Sequence, residues 1–351
     1  MTSAAPSAVT LAPPIAAFLA RHGLANARLE PLAGDASARR YFRLPDKGLL
    51  LMEDREDLVG FAAYVRLSRH LLSLGLSAPR VHGADPSTGL GLVEDFGADT
   101  YSKCLFDGAS EADLYELAVD ALLHLHHDVR GAQVACPEFD MATYLAELDM
   151  FSQWFAPAVN PSVDRPRFSE TFRGLWADAL APLKDATETL VLRDFHVDNL
   201  MYLPERKGLA RCGLLDFQDG ILGPCEYDLV SLLQDARRDL APGLEQALLD
   251  RYIARAPARL GGESAIRQRY FLLGAQRHAR IAGVFLRLSQ RDGKANYLAF
   301  LPRVLRQLDT ALTDAGLVEI KTFLTAELPG WAAHGTALGQ KADENKGMIH
   351  V

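Results

Sequence analysis

Apolar residues in the first hundred positions follow two periods, one typical of strands and the other of helices. Short apolar runs bounded by Gly, Pro and Asp predict strands between Arg28 and Glu53, and again over PRVHGAD (79–85) and GLGLVEDFG (89–97). Apolar positions at the spacing of a helix face predict helices over 15–22 and 57–74. The pattern therefore predicts a small mixed domain that is rich in β-structure.

After Gly97 the apolar spacing is mostly helical. One β-like island interrupts it, in which TLVLRDFHVDNLMYL (189–203), a turn at 204–208 and CGLLDFQDGILGP (212–224) predict a hairpin. The predicted architecture is α+β, with a β-rich N-lobe over 1–97, a larger helical C-lobe over 98–335 and a flexible tail over 336–351. The predicted helices of the second region are 111–127, 141–156, 168–181, 226–239, 243–255, 265–289 and 297–314.

The composition is that of an ordinary folded protein. The chain has 351 residues, with 37 Lys and Arg against 45 Asp and Glu, which gives a net charge of −8. An acidic balance without a basic block argues against broad nucleic-acid binding. Four scattered cysteines without a CxxC pair are typical of a reducing cytoplasm rather than of a disulfide framework or a zinc site. The sequence also lacks a basic leader and long apolar stretches, so we expect no signal peptide and no membrane span. The pattern does not determine the oligomeric state, and we expect a monomer.

The β-like island carries three residues suited to phosphoryl transfer. Asp194 is followed by Asn199 in an Asp-x4-Asn loop, and Asp216 follows the strand after the turn. In phosphoryl transfer one carboxylate accepts the hydroxyl proton, while an amide oxygen and a second carboxylate hold Mg²⁺ between the phosphates of ATP. Because the strands of a hairpin run antiparallel, its ends meet, which brings Asn199 and Asp216 together. The alternative is that Asp194 and Asn199 only cap turns at a strand end, but the order of a β-rich region, a helical region and both motifs favours phosphoryl transfer.

Several segments resemble the aminoglycoside phosphotransferase family, whose members have a two-lobed protein-kinase-like fold. The resemblance covers about residues 15–330. Within that family the sequence is most similar to the bacterial anomeric amino-sugar kinases, which phosphorylate N-acetylmuramate and N-acetylglucosamine at C1 in peptidoglycan recycling. The segments that carry the resemblance are GDASARRYFRL (34–44), LLLMEDRED (49–57), LVEDFG (92–97), MATYLAELDMFSQWF (141–155), LRDFHVDNLM (192–201) and LLDFQDGILGPCEYDLVSLLQDAR (214–237).

The resemblance implies a role for three residues of the island. Asp194 would be the catalytic base, Asn199 and Asp216 would bind Mg²⁺, and ATP would be the co-substrate. Asp228 opens the helix after the island and would either cap that helix or tie down the catalytic loop.

The resemblance also implies nucleotide contacts in the N-lobe. The backbone carbonyl of Glu94 and the backbone amide of Phe96 would bind adenine at the hinge between the lobes. The turn over 34–39 contains a single glycine and is not a glycine-rich loop, although backbone amides near Ser37 would still reach a phosphate.

One feature of the protein-kinase pattern is missing. A protein kinase places a lysine on its third strand and pairs it with a glutamate of the next helix. Here the strand over 48–53 has no lysine and the helix over 57–74 has no interior glutamate. Strand alternation places Arg39 and Arg43 on one face and Arg40 on the other. We expect Arg43 or Arg40 to meet the phosphate charge instead; the alternative is that these arginines are solvated.

Three residues of the helical region are candidate contacts to the acceptor. His196 either packs against the loop backbone or contacts the acceptor or Asp194. Arg193 precedes the proposed base, and Glu147 lies on a helix rich in aromatic residues. Aromatic side chains at helical spacing are usually core, although sugars also stack on aromatic faces. The arginines at 237–238 and between 277 and 291 suit an anionic sugar acid better than a polycationic aminoglycoside.

These features predict a cytoplasmic, ATP-dependent kinase for the anomeric hydroxyl of N-acetylmuramate and N-acetylglucosamine. One alternative is a kinase of the same fold with another acceptor, such as an aminoglycoside, choline or a similar alcohol. A second alternative is a catalytically inactive binding module, which the missing lysine favours and the presence of Asp194, Asn199 and Asp216 opposes.

Overall fold

The structure of the protein, a computed structural model, describes residues 12–32 and 39–335 and shows a mixed α+β fold. These residues form two compact units. The first contains the chain up to Cys104 together with Asp198–Asp219, and the second contains Leu105–Val197 together with the chain from Gly220 onward. This division differs from the predicted one at residue 97, because the hairpin within 198–219 belongs to the β-rich unit. The predicted tail, 336–351, lies outside the described residues.

The first unit contains a five-stranded antiparallel sheet flanked by helices. Its elements are α1 (Pro13–Arg21), β1 (Glu30–Pro31), β2 (Arg40–Leu44), β3 (Leu49–Glu53), α2 (Leu58–Ser73), β4 (Val81–Asp85) and β5 (Leu90–Glu94). The strand order is β1-β2-β3-β5-β4, and every pair is antiparallel. The observed helix α2 agrees with the helix predicted over 57–74, and Asp57 caps it by accepting the backbone N–H of Gly60 at 2.7 Å.

The two faces of this sheet pack against different helices. Phe18 and Leu19 of α1 form one buried cluster with Leu51 of β3, whose neighbours along the strand point the other way. Burying each such side chain stabilises the fold by about 1.5–3 kcal/mol. On the opposite face α2 lies so close to the sheet that a Cβ atom at Gly91 would be 3.3 Å from the ring of Phe61. Residues 39, 41 and 43 of the β2 segment share this second face, which carries the cavity described below.

Two short strand pairs come from the predicted island. In the second unit β6 (Thr189–Val191) pairs with β9 (Ile221–Gly223), and in the first unit β7 (Leu200–Tyr202) pairs with β8 (Cys212–Leu214). The backbone N–H of Leu214 donates to the carbonyl of Ser77 at 2.7 Å, and that of Tyr202 donates to the carbonyl of Asp99 at 2.8 Å. These bonds tie the β7–β8 hairpin to the first unit and explain why it groups there.

The second unit is mainly helical. The predicted helix over 111–127 is confirmed, whereas the helix predicted over 226–239 ends at Leu233 because the backbone of Gln234 leaves the helical region (φ −117°, ψ 46°). Two helices, over Tyr101–Phe106 and Val318–Glu327, were not predicted. No helix of the described ranges has the length and apolarity needed to cross a membrane. The helices after the sheet are α3 (Tyr101–Phe106), α4 (Glu111–His127), α5 (Met141–Met150), α6 (Ala156–Val159), α7 (Arg165–Leu180), α8 (Glu226–Leu233), α9 (Leu244–Arg255), α10 (Gly262–Gln290), α11 (Leu301–Asp314) and α12 (Val318–Glu327).

A π-helical turn over Phe151–Phe155 interrupts the helix predicted over 141–156. The turn begins where α10 comes closest to α5, since a Cβ atom at Gly283 would lie 2.2 Å from the backbone of Met150. Tyr144, Phe151 and Phe155 are fully buried. The aromatic residues of this helix therefore act mainly as core, and α10 packs backbone against backbone at Gly283.

Candidate active site

A cavity of about 430 Å³ opens on the α2 face of the sheet in the first unit. This volume lies within the range of small-molecule and cofactor sites. Its apolar walls come from Leu50, Tyr64 and Val93, and its polar lining includes both arginines of the β2 face, the segment after β5, and the two ends of the β7–β8 hairpin. The cavity thus collects most of the residues that the sequence assigned to nucleotide and metal.

Asn199 and Asp216 face each other at the open end of the β7–β8 hairpin. Leu215 donates its backbone N–H to the carbonyl of Asn199 at 3.0 Å, and the Asn199 amide lies 3.4 Å from a carboxylate oxygen of Asp216. The predicted meeting of the hairpin ends is confirmed. Asp216 has φ 57°, which is unusual for a residue other than glycine and recurs at functional sites. Gln218 holds its other carboxylate oxygen at 2.8 Å.

Glu94 and Phe96 lie on the segment that leaves β5, and both line the cavity. Arg206 makes an ion pair with the Glu94 carboxylate at 2.5 Å and stacks over the Phe96 ring at 4.9 Å from its centroid. A Cβ atom at Gly213 would lie 3.0 Å from the same ring, so the hairpin needs a glycine there to admit Phe96. The segment is therefore held by side chains, which leaves its backbone along the cavity wall.

The two arginines predicted to replace the lysine have different surroundings. Arg43 lines the cavity and donates to Asp95 at 2.5 Å and to the Gly97 carbonyl at 3.0 Å, and the hydrogen bond to Asp95 raises the pKa of Arg43. Arg40 lies on the opposite face of β2, where its side chain is 65% exposed and pairs with Glu53 at 2.6 Å. Alternation along the strand thus removes Arg40 from the candidate site. Ser37, the predicted phosphate contact, lies outside the described residues.

Sequence reasoning passed over Arg39, although alternation places it on the face of Arg43. Arg39 lines the cavity, its side chain is 9% exposed, and its Nε donates to Asp54 at 2.8 Å. Burial disfavours the charged guanidinium, but Tyr41 and Asp54 outweigh this effect and raise the pKa of Arg39. The sequence contains one indication of this ion pair, because an acidic residue, Asp54, directly follows β3.

The loop that carries Asp194 begins in the second unit, where its backbone is fixed by α8. Asp228 accepts the backbone N–H groups of Leu192 at 2.6 Å and Arg193 at 2.8 Å, and Ser231 donates to the Arg193 carbonyl at 3.0 Å. Asp228 thus ties down the loop, one of its two predicted roles. Burial raises the pKa of Asp228 to about 7, against the two backbone N–H bonds. Arg193 has φ 71°, so the loop turns sharply just before Asp194.

Asp194 lies among cationic side chains of the second unit. Burial opposes its ionisation, but the charges of Arg277 and Arg280, with a further contribution from Arg193, outweigh burial and lower the pKa of Asp194. The carboxylate is therefore ionised at neutral pH, which is the form that accepts a proton.

His196 and Glu147 are buried polar residues near this loop. Burial, with the charge of Arg237, lowers the pKa of His196, against the opposing charges of Asp235 and Asp194, so the imidazole is neutral at neutral pH. Glu147 forms an ion pair with Arg193 and accepts a hydrogen bond from Gln276 at 3.1 Å. Glu147 therefore contacts the loop through Arg193.

Comparisons with known proteins show the family to which the chain belongs. Residues 28–262 match the phosphotransferase enzyme family. The chain is 35% identical to an N-acetylmuramate/N-acetylglucosamine kinase of Caulobacter vibrioides, with 90% of this chain and 96% of that protein covered. A protein of the same name from Pseudomonas aeruginosa is 31% identical, with 86% and 89% covered.

A solved structure shares the fold at lower identity. The streptomycin–ATP–APH(2")-IIa ternary complex superposes with a TM-score of 0.57 and 16% identity, and the alignment covers 87% of this chain and 97% of that one. Because the family match spans most of the sequence and contains both the cavity residues and the catalytic loop, the chain belongs to the phosphotransferase enzyme family.

Proposed function

We propose that the protein transfers the γ-phosphoryl group of ATP to the anomeric C1 hydroxyl of N-acetylmuramate and N-acetylglucosamine. The observation that carries this proposal is the 35% identity, over 90% of the chain, to a kinase named for these two sugars. The reaction forms a bond between the C1 oxygen and the γ-phosphorus and breaks the bond from that phosphorus to the β,γ-bridging oxygen, and ADP leaves with the electron pair.

The cavity of the first unit suits the nucleotide. We assign adenine to the backbone of Glu94 and Phe96, because side chains fix this segment while apolar residues such as Leu50 and Val93 provide surfaces for a base. The phosphates then point toward Asn199 and Asp216 at the other polar side of the lining.

Asn199 and Asp216 fit a Mg²⁺ ion bound together with phosphate. Mg²⁺ prefers oxygen ligands and is usually held by one or two carboxylates plus substrate phosphates rather than by an all-protein cage. An amide and a carboxylate within 3.4 Å match that requirement. When bound, the ion neutralises charge on the β- and γ-phosphates.

Asp194 is proposed to accept the proton of the acceptor hydroxyl. The arginines around it keep the carboxylate ionised, and Asp228 holds the loop that carries it. The C1 hydroxyl is more acidic than an ordinary sugar alcohol, so a carboxylate is a sufficient base. The same arginines favour an anionic acceptor, which fits the lactyl carboxylate of N-acetylmuramate.

We further propose that the reaction takes place in the cytoplasm as a step of peptidoglycan recycling. The use of ATP supports this location, as do the four cysteines, which form no disulfide.

The test is a substrate series assayed with Mg·ATP by ADP release and by ³¹P NMR. N-Acetylmuramate and N-acetylglucosamine should both be phosphorylated, and their 1-O-methyl glycosides should be inert, because the C1 oxygen of a glycoside has no proton to lose. The product should lack a reducing end and regain it on mild acid treatment. Phosphorylation of a methyl glycoside, or a preference for an aminoglycoside or choline, would overturn the assignment.

A further inference from the structure

The sheet of the first unit lacks the lysine that meets ATP phosphate in protein kinases, yet it contains a buried cation on the same cavity wall. Arg39 and Asp54 form an ion pair at 2.8 Å, with side chains 9% and 4% exposed. A buried pair of this kind carries a desolvation cost that surface pairs do not. Apolar residues could fill the same space without this desolvation cost. We therefore expect the buried cation to bind a ligand.

Asp54 is fixed by the backbone around it. Its N–H donates to the carbonyl of Gly89 at 2.8 Å, and a Cβ atom at Gly89 would lie 2.2 Å from the Asp54 carbonyl oxygen. Gly89 has φ 66°, which glycine adopts readily. The turn between β4 and β5 therefore packs directly on Asp54, at the end of β3, and sets the position of the carboxylate that Arg39 meets.

The guanidinium of Arg39 is also placed from its other sides. It lies over the ring of Tyr64 at 5.8 Å from the centroid, and Tyr41 lines the same cavity. Burial raises the pKa of Tyr41, and the charge of Asp216 adds to this increase. The charge of Arg39 acts in the opposite direction and lowers the pKa. Arg39, Tyr41 and Asp216 all line the same cavity.

Arg43 is less suited to phosphate than Arg39. Its Nε and Nη2 bond both oxygens of Asp95, and Nη2 also bonds the Gly97 carbonyl. Arg43 therefore stabilises the segment after β5. Arg39 bonds Asp54 through Nε, and a guanidinium has four further N–H donors on its two terminal nitrogens.

We propose that Arg39, positioned by Asp54, is the cation that contacts the phosphates of the nucleotide in this cavity and so replaces the strand lysine and helix glutamate of protein kinases. The inference rests on the proposed binding of ATP in the cavity. Asp54 acts as a positioning residue, because it touches Arg39 and the turn after β4 rather than the nucleotide.

The test compares the affinities for ATP and adenosine by calorimetry, without any sugar. Arg39→Gln should weaken ATP about tenfold to a hundredfold, the usual effect of losing a charge-assisted hydrogen bond, and should change adenosine less than about twofold. Arg40→Gln is the matched control, since Arg40 is the adjacent residue on the opposite face and Arg55 still pairs with Glu53 at 2.6 Å. It should leave both affinities unchanged.

Two more variants separate phosphate binding from folding. Arg39→Lys keeps the charge and leaves no bare carboxylate, so it folds and should show an ATP affinity between those of wild type and Arg39→Gln. The double change Arg39→Gln with Asp54→Asn removes both charges and should show the same selective loss of ATP. Asp54→Asn alone should weaken ATP more than adenosine, because Arg39 loses its anchor.

Equal weakening of ATP and adenosine by Arg39→Lys and the double variant, or an unchanged ATP affinity in both, would overturn the proposal. These results are distinguishable from failure of the proposed function. A wild type that binds ATP but phosphorylates neither amino sugar overturns the acceptor assignment and leaves the Arg39 measurement intact.

Discussion

Asp194 is an ionised carboxylate held in a loop by backbone contacts, so its replacement tests one chemical role. Asp194→Asn keeps the shape of the side chain and removes the proton acceptor. We expect kcat to fall by about 10²–10⁴, the usual effect of losing a general base, while the Kd of ATP stays nearly unchanged. Steady-state kinetics and calorimetry measure the two quantities.

The neighbouring Asp198→Asn is the control for this measurement. Asp198 is exposed and has no proposed role, so the kcat of Asp198→Asn should stay close to that of wild type. Wild-type turnover in Asp194→Asn would contradict the assignment of the base.

Asn199 and Asp216 are expected to act through the metal. Asp216→Ala should raise the Mg²⁺ concentration for half-maximal activity by about tenfold or more, and Asn199→Ala should raise it less, because a carboxylate carries a full charge and an amide does not. Asp219→Asn, an exposed carboxylate of the same loop, is the control. Metal titrations that coincide for both alanine variants and wild type would rule out these ligands.

At the scale of elements, the contact between α10 and α5 depends on the absence of a side chain. A Cβ atom at Gly283 would lie 2.2 Å from backbone atoms of Met150, which cannot move away as a side chain can. Gly283→Ala should therefore lower the free energy of unfolding by about 1–3 kcal/mol or more, the cost of overpacking. Denaturant unfolding measures this loss.

Gly174 provides the matched control on α7. Nothing lies within 4 Å of a Cβ atom at this exposed helical position, so Gly174→Ala should stabilise the protein by up to about 1 kcal/mol through helix propensity. Equal effects of the two changes would show that α10 and α5 are not in backbone contact.

At the scale of the whole molecule, buried carboxylates with raised pKa values make stability depend on pH, and Glu226 is one of them beside Asp228. Glu226 at the start of α8 is fully buried, and burial, opposed by Arg269, raises its pKa from 4.5 to about 7. The folded chain thus keeps a proton that the unfolded chain releases as pH rises. Between pH 5 and pH 7 this difference should lower the free energy of unfolding by about 2 kcal/mol.

Glu226→Gln removes this titration and leaves Arg269 paired with Glu188 at 2.6 Å. The fall in stability from pH 5 to pH 7 should therefore be smaller in Glu226→Gln than in wild type, as measured by urea unfolding at the two pH values. Glu170→Gln, at an exposed position of α7, should behave like wild type. A Glu226→Gln profile parallel to wild type would contradict the origin of the pH dependence.

The sequence alone determined what depends on neighbours along the chain. Helix α4 follows from apolar spacing within 111–127, and the pairing of β7 with β8 follows from two apolar runs around one turn. That pairing brings Asn199 to Asp216, because the second strand of an antiparallel pair ends beside the beginning of the first. Alternation likewise put Arg39 and Arg43 on one face of the β2 segment.

Only the tertiary structure decided which of these side chains meet a partner from far along the chain. Arg43 is held by Asp95 from the segment after β5, Arg193 and Leu192 are bonded by Asp228 from α8, and Gly283 meets the backbone of another helix. Local periodicity gives the face on which a residue lies but not what the opposing element carries there. Long-range packing selects one arrangement of those faces, and with it the partner that each arginine of the cavity meets.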